Sequence, residues 1–373
     1  MPFLIINFIM LHLKNFNISQ SKKPTSNCII SSKNNISKSS KKCKSIHIDF
    51  TNLFLTITTL LLVTIIIMLL LHPAKYMQSV TAGLKLFFYA VVPSLLPFLF
   101  LSKLLTELKV VDKISKFFAS TTKKLFNLPP ISAYVFLMSV LCGYPIGAKL
   151  IGDLYENKQI STIQAKSMFA LCSTSGPIFV IGTVGVSLLN DYKLGLYIFA
   201  SHIISALICG LIFKSKENLP SNQESTQKQI RLSSDILSKS VQSTISGILT
   251  VAVYVSIFYM FIDIAYDIKL LGVSQSLFEK CLQVFNIDPI FAKGLSSGII
   301  EMTRGCSEIA LGSSKQLQLI FCASLISFSG ISIILQSLTF LSKTKMNAFF
   351  VLGTKCVHSI ITIIIATGFS FLI

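Results

Sequence analysis

The sequence predicts an all-α polytopic membrane protein, with about seven transmembrane helices and two re-entrant hairpins arranged as an inverted repeat. Three observations carry that reading. Of the 373 residues, 52% are hydrophobic and only 13% charged, against about a quarter charged in soluble domains. Several stretches reach the ~20 apolar residues that cross a hydrocarbon core as helix. Finally, each half of the chain holds two hydrophobic runs interrupted by glycine, proline or serine, in the same order.

Residues 1–48 pair a short apolar stretch, Pro2 to Leu13, with a Ser/Asn/Lys-rich segment holding eight lysines. Its basic residues follow the apolar stretch, the reverse of a secretory signal. The segment reads as a disordered cytoplasmic tail, an interfacial anchor or the product of an upstream start codon. The first span, within 49–75, is Leu53 to Leu71.

Repeat 1 covers 76–213. Val80 to Leu101 spans, with Lys85 near its end, and the basic amphipathic stretch Lys103 to Leu128 stops at Pro129-Pro130. The hairpin 131–152 is broken at Gly143, Pro145 and Gly147; Met168 to Leu189 is broken at Ser175-Gly176-Pro177; Leu194 to Phe213 spans cleanly. A polar linker, 214–240, follows. Repeat 2 covers 241–373. Ile245 to Ile264 spans, the hairpin 289–312 is partly polar, Leu317 to Leu341 is interrupted at Ser329-Gly330, and Phe349 to Ile373 spans again. Asp263 and Asp267, at the outer end of a span, read as a solvated face.

The halves overlay. Leu141-Cys142-Gly143 matches Ser296-Ser297-Gly298, and Lys149 and Arg304 each lie six residues past their glycine. Ser175-Gly176 follows Cys142-Gly143 by 33 residues, and Ser329-Gly330 follows Ser297-Gly298 by 32. If each broken segment leaves the membrane on the side it entered, each half crosses three times, and an odd number inverts the second half. Under that topology 24 lysines and arginines fall inside and eight outside. The asymmetry follows the positive-inside rule and puts the amino terminus in the cytoplasm.

Composition also excludes. The net charge of +18 is spread between apolar runs, not gathered into a basic face interleaved with aromatics, so nucleic acid is not an expected partner. The nine cysteines form no C-x-x-C pair and the five histidines show no ligand spacing. No metal, cofactor or catalytic nucleophile–base pair is expected, and the chain does not read as an enzyme.

Broken hydrophobic segments at matching positions of two halves point to a transporter's binding site. Unwound backbone in hydrocarbon leaves amides and carbonyls unpaired, which is tolerable only against protein or a wet cavity. The candidate residues are Cys142, Gly143, Tyr144 and Lys149 in the first hairpin, and Ser173, Thr174, Ser175 and Gly176 in the first interrupted helix. Ser297, Gly298, Glu301, Thr303 and Arg304 come from the second hairpin, and Ser329 and Gly330 from the second interrupted helix. For each element, a helix kink, small-residue packing or a self-neutralised pair is the structural alternative. Lys149 and Arg304 are two cations suited to a small dianion, since arginine clamps a carboxylate with two parallel hydrogen bonds. The bland alternative makes both interfacial anchors. The expected partners are a small anionic solute, membrane lipid and a coupling ion, proton or sodium, with self-association left open.

Taken together, Leu141-Cys-Gly-Tyr-Pro-Ile-Gly-Ala-Lys-Leu150, the run from Ser175-Gly-Pro-Ile-Phe to Gly185, and Gly298 with Glu301-Met-Thr303 resemble one family. It is that of the sporulation integral membrane protein YlbJ, also called SpoVV, with a Gate-type nucleoside-recognition core. The resemblance covers roughly residues 50 to 373. It implies a part in endospore formation, with dipicolinic acid moved from the mother cell across the outer forespore membrane. It further implies a fold resembling the Gate domains of concentrative nucleoside transporters. Transport of a nucleoside or other small metabolite, and a non-transporting scaffold for spore cortex assembly, are the alternatives. Relatives are expected to carry asparagine near Ser173-Thr174, and the resemblance does not require a basic residue at Arg304.

Overall fold

The computed structural model describes residues 50–93, 117–217 and 234–373, with a few positions between 96 and 104. The expected tail 1–48, most of the linker 214–240 and half of Lys103 to Leu128 lie outside the described residues. Among the described residues the chain is helical and contains no strand. It divides into two compact units, 1–73 and 74–373. In the first, α1 (Phe50–Leu71) is a 22-residue helix without a charged residue, and it covers the first expected span. Its Leu60, Ile66 and Leu70 are exposed, as suits side chains that face lipid.

The second unit opens with α2 (Pro73–Leu86), continued by a π-helical turn, Phe87–Val91. Then come α3 (Ile131–Cys142), α4 (Ile146–Glu156), α5 (Thr162–Cys172), a π-wound segment (Ile178–Leu188) and α6 (Tyr192–Ile212). The rest is α7 (Ser234–Asp267), α8 (Leu270–Gln283), α9 (Ile290–Ile300), α10 (Met302–Ile309), α11 (Lys315–Phe328), α12 (Gly330–Phe340) and α13 (Ala348–Ser370). Side chains set several starts. Ser161 and Gln164 form a reciprocal capping box on α5. Asp191 accepts from the amides of Lys193 and Leu194 at the head of α6, and Asn347 caps α13. Each satisfies backbone donors that a helix start leaves open.

Among the described residues, four helical stretches are long and apolar enough to cross a membrane: Tyr192–Ile212, Ser240–Asp267, Lys315–Phe340 and Ala348–Ser370. They correspond to four of the seven expected crossings, and α1 covers a fifth position. Val80 to Leu101 includes residues outside those described. Met168 to Leu189 is no single span. Four residues, Ser173 to Gly176, are non-helical, because Pro177 has no amide hydrogen and disfavours helix in the residue before it. Beyond the break the chain resumes as π-helix, with the Leu189 amide reaching back five residues to the Val184 carbonyl at 2.9 Å.

Within 289–312 two helices pack side by side. Gly294 faces Ile309 and Gly298 faces Gly305, so partners step in opposite directions and α9 and α10 run antiparallel. A Cβ at Gly305 would overlap the Gly298 backbone, so both glycines are needed for this approach. Ser297 Oγ donates to Glu308 Oε2 at 2.6 Å and ties the two limbs. One detail departs from the overlay of the halves. The turn lies at Glu301, in extended conformation, three residues after Gly298, whereas the first hairpin turns at Gly143 itself. The element order matches; the glycine register does not.

Asp263 and Asp267 are more than a solvated face: Asp267 is exposed and Asp263 half-buried, and both are ion-paired. Asp263 pairs with Arg304 at 2.6 Å and accepts from Ser79 Oγ. Asp267 pairs with Lys75 at 2.6 Å and accepts from Tyr76 Oη. The i, i+4 spacing put both carboxylates on one helix face, where α10 and α2 supply the cations Arg304 and Lys75. One apolar cluster mixes the two halves: Tyr144, Val180 and Ile198 share it with Phe291, Leu325 and Ile326. Lipid is as apolar as these side chains, so their association rests on close packing and internal hydrogen bonds more than on escape from solvent.

Candidate functional site

The chain interruptions meet in pairs. Gly143, with φ +79°, ends α3, and its backbone lies against Gly176, where a Cβ on Gly143 would come 2.5 Å from the Gly176 amide nitrogen. Ser139 Oγ bonds the carbonyl of Cys172 and sits 2.9 Å from Thr174 Oγ1. The first hairpin turn is thus fastened to the first interrupted helix. In the other half, Ser329 and Gly330 are both left-handed, with φ +71° and +72°, and Gly330 packs on Ile300, Gly298 and Met302. The second hairpin turn is fastened to the second interrupted helix.

Two side chains join the pairs. Tyr144 Oη donates to the Ile326 carbonyl at 3.1 Å, one turn before the Ser329 break. His202, on α6 and fully buried, accepts at Nε2 from the Ser175 amide (2.8 Å) and meets Ser327 Oγ at Nδ1 (2.8 Å). A backbone amide can only donate, so Nε2 carries no hydrogen and Nδ1–H is the donor to Ser327. One imidazole therefore bridges the first broken segment to the end of α11. His358 stacks on it with centroids 4.8 Å apart and donates from Nε2 to the His202 carbonyl at 3.1 Å. Thr362 adds its hydroxyl to Ser327 Oγ at 2.8 Å and lies 2.6 Å from Ser205 Oγ.

Lys355 stands at the centre. It is 1% exposed, although α13 as a whole has only 28% of its span buried, so the helix turns this residue inward. Its Nζ donates to Tyr144 Oη and to the Ser173 carbonyl, each at 2.9 Å, and lies 4.2 Å from the Tyr144 ring centroid. Among the described residues no carboxylate pairs with it. A lysine at the centre of a membrane helix costs about 2.5–3.5 kcal/mol on insertion scales and, where present, faces protein or a wet cavity. Of the 33 basic residues, it belongs to neither the inner nor the outer count above.

The expected site residues fall into two neighbourhoods. Cys142, Gly143, Tyr144, Ser173, Thr174, Ser175 and Gly176 gather at the first pair of breaks, all buried. Ser297, Gly298, Glu301, Thr303 and Arg304 gather at the second hairpin, where Ser329 and Gly330 also pack. Ser329 Oγ is buried there without a hydrogen-bond partner. Glu301, 2% exposed, does not clasp the Arg304 guanidinium. Its carboxylate accepts from the Arg304 amide (2.9 Å) and Thr303 Oγ1 (3.1 Å) and caps α10. The guanidinium goes to Asp263 at 2.6 Å and Glu308 at 3.5 Å. Lys149 Nζ bonds Ser243 through its carbonyl (2.8 Å) and Oγ (2.9 Å). The two cations therefore serve different helices, and Arg304 arrives already neutralised. His202, His358, Ser327, Thr362 and Lys355 complete the network. None of these was among the candidates read from the sequence; the missed signal is an ionisable residue inside an unbroken apolar span.

Comparison with known proteins agrees with the resemblance read from the motifs. Residues 88–213 match the family described as Gate: Nucleoside recognition. The chain is 26% identical over 296 residues to the sporulation integral membrane protein YlbJ of Bacillus subtilis (strain 168), covering 74% of this chain and 72% of the relative. No solved structure matches. The Gate region contains Tyr144, Ser173 to Gly176 and His202, while Lys355 lies beyond it. With its apolar helices, the chain is a membrane-protein homologue of that relative, and residues 88–213 carry the Gate match.

Proposed function

We propose that this homologue of a sporulation membrane protein is a solute carrier that moves dipicolinic acid, a small dianion, from the mother cell across the outer forespore membrane. One observation carries the reading. Interruptions from both halves are knit by Tyr144 and His202 around a buried cation, deep in apolar surroundings. Broken helices of this kind supply ligand groups and also movable joints. The two hairpins rock against the spanning helices to alternate access, in an inverted repeat with the amino terminus in the cytoplasm. Glu301, buried at the second turn, takes the part of counter-ion or proton-coupling group, and a proton or sodium ion drives the cycle.

The family description favours a nucleoside as the second reading. A nucleoside is neutral and gains little from a lysine without a counter-ion, so competition between the two solutes separates the readings. Deletion in the sporulating host tests the first. Dipicolinate synthesised but retained in the mother cell is the expected result; spores with normal dipicolinate content would end the proposal.

A further inference from the structure

We propose that Lys355 is the seat of a carboxylate group of the transported solute. This rests on the transport reading above and replaces Lys149 and Arg304 as the cation that recognises charge. The inference starts from valence. An ammonium carries three N–H donors, and Lys355 spends two of them on the Tyr144 hydroxyl and the Ser173 carbonyl. Both acceptors are neutral. In its protonated form, one donor and the whole positive charge are left for a further partner.

Among the described residues, the surroundings supply no carboxylate as counter-charge. Tyr144, His202, His358, Ser327 and Thr362 are the polar side chains of the network; none is a carboxylate. Arg304 differs on this point, since Asp263 and Glu308 both face it. Lys149 differs in place, bonded to Ser243 on α7 and half-buried. Nor does Lys355 reach for an interface. It is the eighth residue of α13, roughly 10 Å along the axis from the helix start at 1.5 Å per residue. Its Nζ instead turns toward the chain breaks at Tyr144 and Ser173. A buried charge is retained where something pairs with it during function, and an anionic solute is the partner this arrangement lacks.

The same geometry gives selectivity. A carboxylate at Lys355 gains a charge-assisted hydrogen bond, next to the unwound segment whose amides and hydroxyls can accompany it. A neutral isostere of the same shape gains no such bond. It would also displace contacts of the ammonium without neutralising it.

The test uses the full-length protein in lipid nanodiscs, with pyridine-2,6-dicarboxylate, its neutral diamide and uridine as probes, followed by flux of the dicarboxylate into proteoliposomes. Wild type is expected to bind the dicarboxylate in preference to the diamide and uridine. Lys355→Gln and Lys355→Met are expected to weaken dicarboxylate binding by about 30-fold or more, as truncation of one partner of a buried charge pair does, with diamide binding unchanged. Equal dicarboxylate binding by wild type and either folded variant would overturn the proposal. Should both variants fail to fold, the wild type still decides: a diamide bound as tightly as the dicarboxylate, or no dicarboxylate binding, overturns it. Wild-type binding without flux would sink the transport reading and leave the seat standing. Flux that persists unchanged in Lys355→Gln would do the reverse.

Discussion

Gly143→Ala is the sharpest probe of how the first hairpin turn meets the first interrupted helix. Gly143 has φ +79° and ψ −169°, a combination that residues with a side chain essentially do not adopt, at a cost of about 1–3 kcal/mol. A Cβ would also stand 2.5 Å from the Gly176 amide nitrogen and 3.2 Å from its Cα. These are backbone atoms that cannot swing aside as a flexible side chain would. Overpacking of this kind adds about 1–3 kcal/mol, so the expected destabilisation is about 2–6 kcal/mol. The control is Gly182→Ala, where a Cβ meets nothing within 4 Å and the expected effect is under about 0.5 kcal/mol. Melting of the purified full-length proteins, side by side in one detergent, reads both. A Gly143→Ala protein that melts with wild type would refute the contact between the two breaks.

Three more expectations follow from named contacts. Arg304→Ala leaves Asp263 and Glu308 without their shared cation; the loss should fall between the ~1 kcal/mol of an exposed pair and the ~3–5 of a buried one. Adding Asp263→Asn should restore part of it, and a double variant no more stable than the single would count against the pair. His202→Leu removes the acceptor of the Ser175 amide, so hydrogen exchange at residues 173–176 should accelerate relative to wild type; unchanged protection there would contradict the bridge. Asp191 is held below its ordinary 3.8 first by its hydrogen bond from Lys315, which with the Leu194 and Lys193 amides outweighs the opposing effect of burial. Its folded value lies below the unfolded one, so its stabilising effect is present above pH 3.8 and fades as pH falls through the lowered value. The melting difference between wild type and Asp191→Asn should therefore shrink on acidification, and a gap that widens would reverse the sign.

Helical class and the places where helices break were legible because glycine, proline and serine punctuate apolar runs. Gly143-Tyr-Pro145, Ser173 to Pro177 and Ser329-Gly330 all interrupt helices where their composition says they should. The turn at Glu301 was harder. It lacks glycine, and the carboxylate caps the following helix itself, so the nearby Gly298 drew the register three residues early. That shift also made Arg304 look equivalent to Lys149. Long-range pairing was illegible in principle: nothing local says that Asp263 answers Arg304 or that His202 reaches both Ser175 and Ser327. Lys355 was legible by a different rule. It sits alone among the apolar residues of the last span, and a solitary intramembrane charge is a functional signal even without a motif around it.

Flux of radiolabelled dipicolinate into proteoliposomes containing the full-length protein tests the central claim most directly. Uptake that saturates, exceeds that of empty liposomes and is competed by unlabelled dipicolinate but not by uridine is the expected result. Uptake no greater than that of empty liposomes, or uptake suppressed by uridine instead, would contradict the account.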